Sequence, residues 1–211
     1  MKKILWVSFI LVITACTAFW FIKKPNPISE IPNEIVAYQG TNQTELEEKY
    51  GKVLIVYYSF TGTTYDTARN LQEQTGGDLY RLQLEEDYPA TVMMYWQTRN
   101  QINANQLPTL KKIVPHIDDY DLIIIGSPVW WYTTPPPLRS YLEQTDFKGK
   151  TVAVFCTLGG REETYFTDFK QRAKNAHLTE KLRLESPKNQ SSDQLNNTIS
   201  NWLSQLQKNN E

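Results

Sequence analysis

The chain has 211 residues, 40% of them hydrophobic and 12% aromatic, which suffices for one domain of ordinary size and an attached segment. Its formal net charge is −1 and its basic residues are dispersed, so the composition provides no electrostatic footprint for nucleic acid. The histidines, His116 and His177, have no cysteine or second histidine at ligand spacing, which argues against a zinc or iron site.

Residues 1–24 predict a membrane anchor or lipoprotein signal. An uncharged apolar stretch, residues 4–22, lies between two pairs of lysines and is just long enough to cross a bilayer as a helix. The tetrapeptide Ile-Thr-Ala-Cys that ends at Cys16 also resembles a bacterial lipoprotein box, which would be cut before a lipidated Cys16. Both alternatives stay open, and both end in a membrane tether.

Positive charge at the extreme N-terminus favours a cytoplasmic location for that end. The rest of the chain is then expected on the extracytoplasmic face of a bacterial cell membrane. Residues 25–50 are rich in proline and asparagine at their start and predict a stiff polar linker, with a short acidic helix at residues 44–50. Residues 51–211 are the predicted domain.

The domain begins with an apolar strand and a hydroxyl-rich loop. Residues 53–58 form the continuous apolar run that is typical of a buried parallel strand. The helix expected after the loop directs unpaired backbone N–H groups and the positive end of its dipole at the loop, which suits a phosphate. No lysine occurs in this loop, so neutral donors are expected to be the main groups that hold the phosphate. The predicted phosphate loop comprises Ser59, Phe60, Thr61, Gly62, Thr63 and Thr64.

Residues 79–84 alternate in polarity and predict a second strand, partly exposed at an edge of the sheet. Residues 88–110 interleave Met93, Met94, Trp96 and Ile102 with polar residues, which favours an amphipathic helix packed on the sheet. The alternative is that Tyr95 or Trp96 approaches a bound ligand.

A third strand begins at Asp121, is expected to break at Gly126 and Pro128, and leads into three adjacent aromatic residues. Successive side chains of an extended chain point to opposite faces, so three aromatic rings are difficult to bury together. At least one ring is expected to be open to a flat ligand, whereas core packing or a partner surface is the alternative. Residues 135–137 are prolines that restrict the backbone before a helix. The predicted ring-binding residues are Pro128, Val129, Trp130, Trp131 and Tyr132.

A fourth apolar strand begins at residue 151 and leads into a loop with two glycines, Thr157, Leu158, Gly159 and Gly160. Cys156 lies within the strand and is interpreted as a buried small hydrophobe, because its spacing to Arg161 is one residue short of a Cys-x5-Arg phosphatase loop. Helices at residues 164–176 and 193–206 and a short strand at residues 182–184 complete the pattern. The alternation predicts an α/β/α sandwich with five parallel strands.

These three loops, in this order, resemble the ligand loops of the flavodoxin-like family, which binds FMN. Ser-x-Thr-Gly-x-Thr after the first strand is similar to the phosphate loop of flavodoxins. Gly-Ser-Pro-Val-Trp-Trp-Tyr-Thr-Thr-Pro-Pro-Pro is similar to a second flavin loop with Pro-x-Trp-Trp before a proline-rich helix start. The resemblance implies FMN as the cofactor and a sheet order of 2-1-3-4-5. Relatives commonly continue the third loop with small residues, whereas here Arg161 either stabilises an anionic reduced flavin or reaches solvent.

The expected function is therefore that of an FMN-binding redox protein that transfers electrons on the outer face of a bacterial membrane. The flavin would supply the electron chemistry, so no catalytic acid or base is expected. Nothing in the chain resembles a nicotinamide-binding domain, and a quinol or a flavoprotein reductase is the expected donor. An FMN-dependent reductase of quinones or similar small molecules is an alternative that predicts an open pocket, whereas an electron carrier predicts a shielded ring. A cofactor-free remnant that binds a partner is a third alternative, and the intact set of three loops argues against it.

Overall fold

The computed structural model describes residues 34–111 and 116–208. The predicted anchor with Cys16, and the first part of the predicted linker, lie outside the described residues. Within these two ranges, the structure contains no helix with the length and apolar character needed to cross a membrane.

A six-stranded sheet organises the described domain. Its strands are β1 (Ile35–Val36), β2 (Val53–Tyr57), β3 (Asp78–Arg81), β4 (Leu122–Pro128), β5 (Thr151–Leu158) and β6 (His177–Glu185). Their spatial order is β1-β3-β2-β4-β5-β6. All neighbouring pairs are parallel except β1 and β3, which are antiparallel.

Helices cover both faces of the sheet. They are α1 (Gln43–Tyr50), α2 (Thr63–Thr75), α3 (Met93–Ala104), α4 (Pro136–Gln144), α5 (Tyr165–Arg172) and α6 (Ser192–Lys208). Two short 3-10 turns also occur: Ile117–Asp119 precedes β4, and Pro187–Asn189 follows β6.

Side chains alternate along each strand, so β2 directs Leu54 and Val56 to one face of the sheet and Ile55 and Tyr57 to the other. Helices α3, α4 and α5 pack on the first face, and α2 and α6 pack on the second.

The prediction of five strands is wrong by one. The five parallel strands have the predicted order, but β1 adds a short antiparallel strand from within the predicted linker, with Ile35 opposite Tyr80 and Val36 opposite Leu79. Two residues are too few for a period to be recognised in sequence. Since β1 covers the outer side of β3, the predicted edge strand is buried at Leu79, Tyr80 and Arg81.

Other element boundaries also differ from the sequence-based expectations. Strand β4 continues through Gly126, because a glycine leaves room for the ring of Phe155, with which a Cβ at this position would collide. Strand β6 is longer than predicted, since an outer strand with exposed polar residues lacks a long apolar run. Helix α5 ends at Arg172, four residues before the predicted end.

Helix α3 packs on the sheet as expected, but through few residues. Only Met94 and Thr98 are buried within it. Met93 and Trp96, which belong to the predicted amphipathic pattern, are exposed. The pattern therefore identified the helix but not the side that faces the core.

Cys156 is fully buried in β5, as predicted. Burial raises the pKa of its thiol to about 12. The neutral thiol is a poor nucleophile at physiological pH, which agrees with its interpretation as a packing residue.

Candidate functional site

An open cavity of about 990 Å³ lies where the carboxyl ends of β2, β4 and β5 meet. Ligands of doubly wound sheets collect at this edge, beside the point where the strand order reverses, which here lies between β2 and β4. All the predicted cofactor-binding residues line the cavity except Ser59 and Gly62. The sheet thus brings the three predicted loops together, and their contacts with a cofactor stay a prediction.

The first loop exposes unpaired backbone donors at the start of α2. Gly62 precedes the helix with a φ of 93°, a conformation that favours glycine. Asp66 donates its N–H to the Gly62 carbonyl, but no described residue accepts a hydrogen bond from the N–H of Gly62, Thr63 or Thr64. These groups, together with the helix dipole, form a binding place for an anion.

The four hydroxyls of this loop have different roles. Ser59 is buried, and its Oγ accepts a hydrogen bond from the N–H of Tyr65 at 3.2 Å, so this oxygen shapes the loop. The Oγ1 atoms of Thr61 and Thr63 lie 3.5 Å apart beside the cavity. Thr64 is buried and its hydroxyl is 2.8 Å from that of Thr157, which joins the first loop to the third. Thr61 and Thr63 are therefore the hydroxyls best placed for a ligand.

Two aromatic residues of the second loop occupy a left-handed backbone conformation. Trp130 and Thr133 exchange both backbone hydrogen bonds, at 3.2 and 3.0 Å, around a tight turn. The residues between them, Trp131 and Tyr132, have φ values of 53° and 64°, as in a type I′ turn. This conformation costs a residue other than glycine about 1–2 kcal/mol. Such strain persists where surrounding contacts hold it, and it is common in ligand sites.

Contacts distinguish the three adjacent aromatic residues. Trp130 packs edge-on against the rings of Tyr58, Phe60 and Tyr88, with centroids 5.5–5.8 Å apart. Trp131 donates its indole N–H to Thr98 Oγ1 at 3.1 Å and lies under the guanidinium of Arg99. Tyr132 takes part in none of the ring contacts between described residues, and 51% of it is exposed. Tyr132 is thus the aromatic residue most available to a flat ligand.

A buried ion pair supports the second loop, and the sequence pattern did not indicate it. Arg139 of α4 lies 3.1 Å from Asp168 of α5, and their side chains are 8% and 14% exposed. Arg139 also donates to Thr133 Oγ1 at 3.1 Å, and the Thr134 hydroxyl donates to Asp168. Burial lowers the pKa of Arg139, while Asp168 opposes that change. The charges therefore connect the aromatic turn to two helices.

Sequence reasoning also missed Lys188. It belongs to the turn after β6, lines the cavity and donates from Nζ to the Thr61 carbonyl at 3.2 Å. A cation therefore lies beside the phosphate loop, in addition to the neutral donors that the sequence predicts as the main phosphate ligands. Arg161 has a side chain that is 80% exposed, 3.6 Å from the Glu163 carboxylate.

Comparison with known proteins identifies the fold family. The sequence model described as Flavodoxin matches residues 52–205. The chain belongs to the flavodoxin family. Among curated protein sequences, none matches it.

Two solved structures resemble this flavodoxin-family chain over most of its length. A crystal structure of a flavoprotein from Lactobacillus acidophilus NCFM in complex with FMN is 25% identical, with a TM-score of 0.60, and the match covers 72% of this chain and 97% of that one. A candidate flavoprotein from Bacteroides eggerthii DSM 20697 is 29% identical, with a TM-score of 0.61 and coverage of 72% and 96%. The prediction of FMN as the cofactor is confirmed by the family match and by the structural neighbour in complex with FMN.

Two independent observations indicate that the cavity fits the phosphate and the ring of a flavin. Backbone N–H groups at the start of α2 have no acceptor among the described residues, and the exposed ring of Tyr132 borders the same cavity. The residues expected to hold the phosphate are thus Thr61, Gly62 and Thr63, while Tyr132 is expected to contact the isoalloxazine ring.

We expect the substitution Tyr132→Asn to weaken oxidised FMN binding by about 3- to 10-fold, because an aromatic contact contributes about 0.5–1.5 kcal/mol. The midpoint potential should rise, since stacking stabilises the electron-rich reduced ring less than the oxidised ring. Asparagine tolerates a positive φ, so the apoprotein should be as stable as the parent protein or slightly more stable. Titration in both redox states and thermal unfolding of the apoprotein measure these effects.

The neighbouring substitution Trp131→Asn is the matched control, because Trp131 has the same backbone conformation. It removes the contacts to Thr98 and Arg99 and should destabilise the apoprotein. Unchanged FMN affinity and potential in Tyr132→Asn would show that Tyr132 does not contact the flavin.

Proposed function

We propose that this flavodoxin-family protein binds FMN and transfers electrons on the outer face of a bacterial membrane, to which residues 1–24 attach it. The observation that supports FMN-based electron transfer is the convergence of an anion-binding helix start and an exposed aromatic turn on one cavity. FMN supplies one- and two-electron redox chemistry, and the chain supplies binding, orientation and electrostatics. The extracytoplasmic location follows from the lysines at the N-terminus.

An FMN-dependent reductase of quinones or related small molecules is the second candidate, and the exposed side chains that line the cavity favour it. Val92, Tyr95 and Tyr132 line the cavity and are themselves exposed, so a small molecule has access beside the proposed ring position.

A quinol is the proposed reductant, with a flavoprotein reductase as the alternative donor. We expect a water-soluble quinol analogue, which loses two electrons and two protons to become a quinone, to bleach the absorbance of the FMN-loaded protein under anaerobic conditions. NADH and NADPH should act much more slowly, because nothing in the chain resembles a nicotinamide-binding domain. Anaerobic stopped-flow absorbance measures all three rates.

Reoxidation of the reduced protein distinguishes the candidates. Saturable, fast reoxidation by a water-soluble quinone, which takes two electrons and two protons from the reduced flavin to become a quinol, supports the small-molecule reductase. Slow reoxidation by the quinone, with fast exchange to a second flavoprotein, supports a carrier that serves protein partners. Fast reduction by NADPH would contradict the proposed donors.

Protease added to intact, wall-stripped cells should remove the domain while a cytoplasmic control protein survives. The reason is the charge at the N-terminus, which favours a cytoplasmic location for that end only. Immunoblotting against the domain provides the measurement. If the domain resisted the protease until the membrane was permeabilised, the domain would lie in the cytoplasm, and a nicotinamide nucleotide would be the expected electron donor.

A further inference from the structure

An exposed apolar surface lies at the start of α3 and beside the aromatic turn. We call it the apolar rim, and its members are 51–66% exposed. They are Val92, Met93, Tyr95, Trp96 and Tyr132. The ring of Tyr95 contacts that of Trp131, the neighbour of Tyr132, so the two parts of the rim are continuous.

The rim borders the mouth of the FMN cavity. Val92, Tyr95 and Tyr132 line the cavity, whereas Met93 and Trp96 lie outside its lining. Large exposed apolar groups that cluster on one surface are typical of interaction sites, and single ones are not. The cluster therefore indicates a partner at the cavity mouth.

The short strand β1 determines which edge of the domain faces the N-terminal segment. Ile35 lies opposite Tyr80 and Val36 opposite Leu79, so the chain enters at the carboxyl end of β3 and runs antiparallel to it. The carboxyl ends of the parallel strands form the edge that contains the cavity. The segment that precedes residue 34 thus joins the domain on the same edge as the cavity and the rim.

The predicted linker is short compared with the domain. Between the end of the predicted anchor at residue 24 and the first described residue there are nine residues, which span at most about 30 Å when extended. A membrane anchor at that distance holds the cavity edge near the bilayer. To turn the opposite edge toward the membrane, the same nine residues would have to pass along the whole height of the sheet.

We propose that the apolar rim rests in the interfacial layer of the membrane that anchors the chain, so that the mouth of the FMN cavity opens onto lipid. This inference rests on the membrane attachment under the proposed function and specifies how the site faces its redox partner. Tryptophan and tyrosine favour the boundary between lipid and water, because their rings have an apolar body and a polar tip. A lipid-soluble quinol could then reach the cavity without leaving the membrane.

A bilayer suits the rim better than a protein does. Five side chains are far fewer than the about 20–30 residues that a standard protein interface uses on each side. A tether also raises the effective concentration of lipid at the rim, so a small apolar contact is sufficient. Charges near the rim are mainly acidic, with Glu85, Glu86 and Asp87 before it and Arg99 after Trp96, so the contact does not depend on anionic lipid.

The test uses the full chain, loaded with FMN, in liposomes of phosphatidylcholine that contain a photoactivatable phosphatidylcholine. After illumination, trypsin releases the peptide of residues 82–99, which includes most of the rim, and the peptide of residues 140–148. The second peptide is the internal control, because it leads from the end of α4 into β5 at the opposite edge of the sheet. We expect lipid adducts on the first peptide to exceed those on the second by about fivefold or more, as measured by mass spectrometry.

The variant Met93→Gln with Trp96→Gln should lose most of this labelling, and its flavin absorbance should be unchanged, because neither residue lines the cavity. Equal labelling of both peptides would overturn the proposed orientation. Labelling of neither peptide would also overturn it, and a protein would then be the expected partner of the rim. Flavin absorbance and liposome flotation of the same samples separate the failures: loss of flavin contradicts the proposed function, and loss of flotation contradicts the attachment.

Discussion

Riboflavin should bind the purified protein about 100-fold more weakly than FMN, or weaker still. The two ligands differ only in the phosphate, which is expected at the N–H groups of Gly62, Thr63 and Thr64. A hydrogen bond to a charged group contributes about 1.5–3 kcal/mol, so two such bonds account for about 3 kcal/mol, or about 100-fold. Titration of the apoprotein with each ligand, followed by the quenching of flavin fluorescence, measures the ratio.

Two variants separate the contributions of the phosphate site. Thr61→Ala removes a hydroxyl beside the cavity, and Lys188→Gln removes the cation that bonds to the Thr61 carbonyl. Both should weaken FMN binding and spare riboflavin. The Lys188→Gln effect should be small, about threefold, and should disappear at high salt, because Lys188 is exposed and its charge is screened.

Thr198→Ala is the matched control, since Thr198 is an exposed threonine on α6 that does not line the cavity. It should change neither affinity. If Thr61→Ala weakened both ligands equally, the first loop would not be the phosphate site, although the family membership would stand.

The largest loss of stability is expected for Asp168→Ala. This substitution leaves Arg139 buried without its carboxylate, and it removes one of the two carboxylates that pair with Arg172, whose Nε lies 3.0 Å from Asp168 and whose other partner is Glu143. Loss of one member of a buried ion pair costs about 3–5 kcal/mol, because the remaining charge is uncompensated. In a domain of this size, that cost lowers Tm by about 6–20 °C. Thermal unfolding of the apoprotein followed by circular dichroism measures the change.

Asp118→Ala is the matched control for Asp168→Ala. Asp118 forms an ion pair with Lys148 at 2.7 Å, but both side chains are more than half exposed. Water screens this pair, so its loss should leave Tm nearly unchanged. Similar Tm values for the two variants would contradict the assignment of Asp168 as the buried support of the aromatic turn.

Asp168→Ala should also weaken FMN binding if the protein is measured well below its Tm. Arg139 and Asp168 hold Thr133 and Thr134, which follow the turn that presents Tyr132. The variant Asp168→Asn keeps an oxygen acceptor and most of the side-chain volume. It should therefore retain more affinity than alanine while it still loses stability.

The sequence by itself determined the fold class, the family and the three loops that surround the cavity. Each loop follows a continuous apolar strand, so a local pattern of about ten residues identifies both the strand and the loop. Parallel strands place their carboxyl ends at one edge, and for this reason loops that are far apart in sequence could be assigned to one site. The membrane anchor, the possible lipidation of Cys16 and the extracytoplasmic location stay predictions from sequence.

Tertiary structure alone decided which members of a local pattern perform which role. The three adjacent aromatic residues are equivalent in sequence, but packing encloses Trp130, contacts from α3 hold Trp131, and Tyr132 stays exposed. The residue types of these three positions do not reveal the difference in exposure, because that difference depends on neighbours from other helices and strands.

The same reason explains Lys188, which lies 127 positions from Thr61, and Asp168, which lies 29 positions from Arg139. Periodicity reports burial along one element, whereas a charge contact between two elements depends on how the sheet brings them together. The two-residue strand β1 belongs to this group as well, since pairing with β3 defines it and its own sequence does not. Local patterns therefore specify strands, helices and loops, and the packed sheet specifies the contacts between them.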